Sequence, residues 1–389
     1  MRFGPHDTVT PMDQSRIVNC TGCNAPVDVS QYDPLQQIAC PSCGNSFELL
    51  RRFGSYTIES QIGLGGTSVV FLAQSDALNK KVALKVLLSE ELLRNPESAA
   101  NFLREGELTK KMSHPNIVEV YEFGVFQGFH FMAMERLVGK ALNQVLDHMQ
   151  KLSQDRKGGP AKGESQDKAM FKEPLPELVC LEIAMQAAAG LGAAHALNLV
   201  HGDIKPENIM ITNDGVVKVV DFGLVQFANA EKLFAEGEGY SVFGTPLYIP
   251  PERVRGEPED FRTDLYSLGA TLYHLLRGLP PYRAKDLTEL AIMHTQAPLL
   301  SFHAVAPNVS MTTCKVIEKS LKKNIKDRYA SHEELIKDLM FAQDLITQPH
   351  IREVKPGRQV LADFMISLGL APPKEPEEVK KKSWAFWKK

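Results

Sequence analysis

The stretch "HGDIKPEN", residues 201–208, places a carboxylate, an ammonium and an amide within a few positions of one another. Asp203 can take the proton of a substrate hydroxyl, or hold that hydroxyl in line for attack. Lys205 can neutralise charge on a transferring phosphoryl group. Asn208 offers an amide oxygen to magnesium, a hard cation that prefers oxygen donors. Shortly downstream, "VVKVVDFGL" (216–224) reads as a strand ending in Asp221, Phe222 and Gly223, and Asp221 would be the charged magnesium ligand. Taken singly, Asp203, Asn208 and Asp221 are ordinary turn or cap residues. Taken together, they supply the positioning and the electrostatic stabilisation that phosphoryl transfer requires.

Upstream the pattern is sheet-like. "YTIESQIG" (56–63) alternates with period two, a glycine cluster follows, and "VVFLAQ" (69–74) resumes the alternation, so the segment reads as strand, turn and strand. Gly63, Gly65 and Gly66 let the backbone bend tightly and approach a phosphate closely. On its own such a cluster is also an ordinary hairpin turn. "KKVALKVL" (80–87) is a third strand, and Lys85 on it can hold phosphate oxygens as a point charge. "NPESAANFLREGELTKKM" (95–112) has helical spacing with a proline near its start, and its Glu105 can pair with Lys85. "NIVEVYEFGVFQGFHFMAMERL" (116–137) adds two strands around a turn near Gly124–Gly128. Helical patterns dominate after that. The reading is α+β: about five strands and one helix first, then a larger helical part.

These motifs, in this order, resemble those of protein kinases. The resemblance covers residues 56–344 and rests on "GLGGTSVV", "VALK", Glu105 before "HPNIV", "MER", "HGDIKPEN", "DFG", "GTPLYIPPE" and "DLYSLG". It implies a bilobal fold, a small sheet-rich lobe on a larger helical one, with Mg-ATP as cofactor and protein hydroxyls as substrate. By resemblance, Ile62, Gly63, Gly65, Gly66, Ser68, Val70, Ala83 and Lys85 line the nucleotide from above and Met210 supports it from below. Met134 is the gatekeeper, and the backbones of Glu135 and Leu137 bind the adenine edge. Lys85, Glu105, Asp203 and Lys205 are the catalytic set; Asn208 and Asp221 hold magnesium. Asp264 braces the catalytic loop, and Glu252 pairs with Arg328. Lys205 and "GTPLY" resemble the Ser/Thr class, and the overall flavour is bacterial.

Some positions depart from the family pattern. Ser68 stands for a third glycine, Pro250 for an alanine, and Thr109 for an apolar residue one turn after Glu105. Gly202 stands where many kinases carry an arginine that meets a phosphate on the activation loop. A glycine cannot do this, so the chain is expected not to rely on that switch. Within 224–243 only Tyr240 and Ser241 are acceptors, with Thr245 just beyond. A catalytically weak or inactive pseudokinase scaffold, binding nucleotide and partners, is the alternative; the intact catalytic set speaks against it.

The rest of the chain frames this domain. "CTGC" (20–23) and "CPSC" (40–43) have metal-site spacing, and Cys20, Cys23, Cys40 and Cys43 form a candidate Zn2+ site in a small zinc ribbon at 19–50. Too short to build a core, such a module would draw its folding energy from the metal. Its role is open between a protein partner and bracing a neighbour; neither its two flanking arginines nor the net charge of −3 favours nucleic acid. Residues 1–18 read as a polar tail, 150–177 as a polar surface insertion, and 345–389 as a C-terminal tail. No internal repeat stands out. The ending "KKKSWAFWKK" (380–389) fits a weak peripheral membrane contact; a solvated tail or a docking peptide is the blander reading. The apolar run at 178–200 contains Glu182, Gln186, His195 and Asn198 and reads as a buried core helix. The N-terminal residues lack the apolar core of a secretory signal. A cytoplasmic protein is expected, with the four clustered cysteines on metal rather than in disulfides.

Overall fold

The computed structural model describes residues 17–20, 22–28, 37–48, 52–65, 68–87, 97–126, 128–156, 173–222, 246–347 and 357–372. Gly66, the centre of the polar insertion, the loop with Tyr240, Ser241 and Thr245, and the tryptophan-bearing tail lie outside them. The chain divides into two compact units, residues 1–99 with 121–136, and residues 100–120 with 137–389.

The first unit opens with two hairpins. Strand β1 (Ile17–Asn19) pairs antiparallel with β2 (Pro26–Asp28), and β3 (Gln37–Ala39) with β4 (Ser46–Glu48). They are near copies. In each, the N–H two residues after the first cysteine points at that cysteine's sulfur, from Gly22 to Cys20 at 3.3 Å and from Ser42 to Cys40 at 3.4 Å. In each, the residue after the second cysteine takes a positive φ, +58° at Asn24 and +71° at Gly44. The internal repeat missed in the sequence is therefore present: only the cysteines and the turn geometry are kept, while the residues between them change.

A six-stranded sheet follows, in the order β5 (Arg52–Phe53), β6 (Tyr56–Leu64), β7 (Ser68–Ser75), β8 (Lys80–Leu87), β10 (Phe129–Glu135), β9 (Val120–Phe126). Strand β5 was not expected; two residues are too short to show an alternation. Register divides the faces. Phe71 lies opposite Leu84, Val69 opposite Val86, and Ala133 opposite Leu84. With Tyr56, Ile58, Val82 and Phe131 these residues form the apolar core of the unit. The other face, one residue out of phase, carries Val70 opposite Lys85, with Ala83 opposite Met134.

The second unit is mostly helical: α1 (Glu97–Lys110), α2 (Leu142–Arg156), α3 (Glu177–His195), α4 (Pro251–Arg255), α5 (Phe261–Arg277), α6 (Leu287–Thr295), α7 (Phe302–Val305), α8 (Met311–Ser320), α9 (His332–Thr347) and α10 (Gly357–Ser367). A small sheet orders β11 (Gly139–Ala141), β12 (Ile209–Thr212) and β13 (Val217–Val219). Helix α3 is long and apolar enough to cross a membrane by composition alone, yet Leu181, Ile183, Ala187 and Leu191 are buried in the core beside Leu265, Tyr266, Ile317 and Leu339. Helix α5 starts at Asp260, whose side chain accepts the N–H of Arg262, and stops at Gly278 with φ +77°.

Two edges differ from the sequence reading. Helix α2 runs to Arg156, and Leu175 is buried with its N–H on the carbonyl of Leu275 at 2.8 Å, so both ends of the 150–177 insertion belong to the fold. The pattern also does not end near Asp344: helix α10 packs on α3 with Leu361, Ala362 and Met365 fully buried. It sits close. A Cβ on Gly215 would lie 1.9 Å from the carbonyl oxygen of Arg358, and one on Gly357 would strike the carboxylate of Glu182. From Glu182 a polar chain runs inward: Gln186 Nε2 donates to it at 2.8 Å, and Gln186 Oε1 accepts from Asn116 Nδ2 at 3.0 Å and from Val217 N at 2.8 Å. Leu361→Ala is expected to lower unfolding stability by about 2–5 kcal/mol, the usual cost of emptying a filled core position. Urea denaturation followed by circular dichroism checks this; an unshifted midpoint would refute the docking of α10.

Candidate active site

The catalytic loop hangs from Asp264. This carboxylate, 3% exposed on α5, accepts the N–H of His201 at 2.8 Å and that of Gly202 at 2.7 Å. Burial pushes its carboxyl above the usual range, and His201, the two N–H groups and Arg253 work against that push. Gly202 has φ +77°, a left-handed conformation that a side chain would strain. His201 is wholly buried: its Nδ1 accepts the N–H of Asp203 at 3.2 Å and its Nε2 meets the carbonyl of Val220 at 2.9 Å. It thereby ties the loop to the strand leading to Asp221.

Asp203 is held on two sides. Lys205 Nζ lies 2.7 Å from its Oδ2, and Asn208 Nδ2 donates to its Oδ2 at 2.9 Å and its carbonyl at 2.8 Å. An amide whose nitrogen donates twice to Asp203 has its oxygen for a hard cation. The carbonyl of Asn208 accepts the N–H of Val220 at 3.0 Å, one residue before Asp221. Asp221 is exposed, with φ +59°, and Phe222 is buried with its ring 4.6 Å from that of His201. The structure thus brings Asp203, Lys205, Asn208 and the backbone before Asp221 into one bonded group. Met210 on β12 is half-buried, while its neighbours Ile209 and Ile211 are wholly buried.

In the sheet unit, Val70, Ala83, Lys85 and Met134 share the face opposite the core, and Gly63 lies across from Val70. The glycine turn is tight: Gly65 donates to the carbonyl of Ser68 at 2.8 Å, and Ser68 is buried. Ile62 and Leu64, at the end of β6, are exposed. Glu135 ends β10 half-buried, and Leu137 begins the second segment of the helical unit. Glu105 on α1 is buried. Thr109, one turn on, is 2% exposed, and its hydroxyl has no hydrogen-bond partner among the described residues. A polar group in a place that favours an apolar one leaves its bond unmade.

A second brace lies below the loop. Arg328 forks onto Glu252 with two bonds of 2.7 Å, both side chains almost wholly buried, while Thr263 Oγ1 donates to the same carboxylate at 2.9 Å. Sequence reasoning missed Arg253 beside it. Arg253 donates to the carbonyl of Gly202 and forks onto Glu259 at 2.9 and 2.5 Å. It also missed His201. The available signal was that His201 opens one motif already singled out and Arg253 directly follows another.

The four cysteines of the hairpins converge. Their sulfurs all lie within 4.8 Å of one another, with Cys20–Cys43 and Cys23–Cys40 each at 3.7 Å. A tetrahedral zinc with Zn–S bonds of about 2.3 Å holds its sulfurs ~3.8 Å apart, so the set fits that ion. Backbone N–H groups, first that of Cys23, hold the Cys20 thiol down at about 6. Despite an N–H from Asn45, the neighbouring sulfurs and burial push Cys43 up to about 12.

Residues 56–341 match the protein kinase domain family. A probable serine/threonine-protein kinase of Clostridium acetobutylicum is 31% identical over 73% of this chain and 39% of its own length. A serine/threonine-protein kinase of Myxococcus xanthus is 32% identical over 72% of this chain and 48% of its own. The chain therefore spans less than half the length of these curated relatives. Among solved structures, the kinase domain of Mycobacterium tuberculosis PknI is similar with a TM-score of 0.55 and 25% identity, covering 75% of this chain and 97% of that one.

Breaking the buried ion pair leaves an uncompensated charge. Arg328→Met should therefore cost about 3–5 kcal/mol of stability. Guanidinium denaturation of the two proteins measures it; a loss below 1 kcal/mol, the range of surface pairs, would contradict the brace.

Proposed function

The chain belongs to the protein kinase family, and from that premise we propose that it is a serine/threonine kinase moving the γ-phosphoryl group of ATP to protein hydroxyls. One observation carries the reading: Asp203 is fixed by Lys205 and Asn208, and Asn208 is itself bonded to the backbone just before Asp221. Groups that do chemistry together are thus locked together before any substrate arrives.

In this reading Asp203 orients the attacking hydroxyl and takes its proton, and Lys205 offsets the negative charge that gathers on the phosphoryl oxygens. Asn208 and Asp221 would hold magnesium, which when bound neutralises charge between the phosphates. Lys85 holds phosphate oxygens, with Glu105 as its expected partner. The family resemblance gives Val70, Ala83, Met134 and Met210 the role of apolar surface for the base, and the backbones of Glu135 and Leu137 that of its polar edge. The family resemblance assigns Ile62, Gly63, Gly65, Gly66 and Ser68 to the segment that covers the phosphates. Protein substrates follow from the family.

We further assign the cysteine module as a structural zinc site that presents its hairpins to a protein partner. The closed set of four thiolates leaves no open position for catalysis. The scaffold alternative has one observation in its favour, the buried, unbonded hydroxyl of Thr109 beside Glu105.

Two measurements test these assignments. Purified protein with Mg-ATP and a generic basic protein should transfer phosphate, and Asp221→Ala should lose it by at least about a hundredfold. No transfer by the unaltered protein, with nucleotide still bound, would favour the scaffold. For the metal, zinc released by thiol modification should approach one ion per chain and fall sharply in Cys40→Ser. Absence of zinc and of any other bound metal would reject the assignment.

A further inference from the structure

We propose that Arg253 and Glu259 form an internal charge pair that positions the catalytic loop, doing permanently the work that a phosphate on the activation loop would otherwise do. The proposal rests on the kinase reading for its meaning, and on contacts within one compact unit for its evidence.

The peptide linking Gly202 to Asp203 is held at both of its polar ends. Its carbonyl accepts from Arg253 Nη1, and its N–H goes to His201 Nδ1. The preceding N–H goes to Asp264. The backbone from which Asp203 projects is therefore set by three side chains from outside the loop or at its start, and Arg253 is the cation among them, with Glu259 as its own carboxylate.

Both members of the pair are anchored. Arg253 follows Glu252, which Arg328 and Thr263 lock in place. Glu259 precedes Asp260, the cap of α5, which Arg262 holds with bonds of 2.6 to 3.1 Å. The side chains of Arg253 and Glu259 are 16% and 25% exposed, so little water competes for the fork. Burial works against the guanidinium charge, but the bonds and charge of Glu259 outweigh it and raise Arg253 above its ordinary value, with Asp264 and Asp203 adding to the effect.

Position 202 has no side chain with which to answer a phosphate, and its φ of +77° disfavours adding one. The cation that reaches the loop is Arg253, and Glu259 already neutralises it. No phosphorylation is needed to complete the charge balance, and none would find the guanidinium unoccupied.

The test compares the full chain with Arg253→Gln, Arg253→Lys, Glu259→Gln and the Arg253→Gln/Glu259→Gln double variant, all treated with a broad-specificity phosphatase. The treated unaltered protein should keep its transfer rate within about twofold. Arg253→Gln should lose at least about tenfold in kcat with the KM for ATP within about threefold, because a misplaced catalytic group costs rate more than binding. Arg253→Lys should recover little, since a point charge cannot make the fork. Glu259→Gln should lose less, and the double variant no more than Arg253→Gln, as expected of coupled residues. Hydrogen exchange over residues 201–208 should rise in Arg253→Gln while α5 and α8 keep their protection. Equal kcat and equal exchange in Arg253→Gln would overturn the proposal. So would activity lost on phosphatase treatment and restored by rephosphorylation. If the unaltered protein transfers no phosphate at all, the kinase reading fails by itself, and the exchange comparison still decides whether Arg253 holds the loop.

Discussion

The carboxylate of Asp264 is buried in the middle of the helical unit and accepts two consecutive backbone N–H groups, those of His201 and Gly202. A carboxylate in that place is costly unless its lone pairs are taken up. The loop supplies the donors only by turning sharply, and the turn forces the positive φ of Gly202. Everything after it inherits the constraint. Asp203 emerges in one direction, Asn208 returns to bond it, and His201 reaches across to the carbonyl of Val220. The catalytic geometry is thus a consequence of satisfying one buried charge.

Much of this was legible in the sequence, because the residues involved are close in the chain or fixed by strand period. The alternation in "KKVALKVL" assigns Leu84 and Val86 to the core and leaves Ala83 and Lys85 on the opposite face, as the register shows. Asp264 and the Glu252–Arg328 pair came from the resemblance alone; nothing local at those positions indicates a partner so far along the chain. Three features stayed hidden. Strand β5 is too short for a period to appear. Helix α10 carries apolar residues at 360, 361, 362, 364, 365 and 366, a helical stripe masked by Pro356 before it and Gly357 at its start. Arg253 lies in "PPERVRGEPED", where several charges crowd together and sequence cannot say which of them are buried.

The polar chain from Glu182 through Gln186 to Asn116 and Val217 shows a different logic. Helix α3 is mainly apolar, yet it keeps two polar residues one turn apart on the side facing the β12–β13 turn. Each has a bonded partner, which is the condition for polar groups to be tolerated at such depth. The result is a bonded link between α3, on which Gly357 of the C-terminal helix packs, and the strand that leads to Asp221.

Helix α10 lies beyond residue 341, where the match to the kinase family ends, but its side chains are core. The stretch matched by the family and the packed body therefore do not coincide in this protein. A fragment cut at residue 341 would carry an open apolar seat on α3, the kind of surface that recruits other chains indiscriminately. Residues up to 341 and the helix at 357–367 therefore share one packed body, and each leaves apolar surface open without the other.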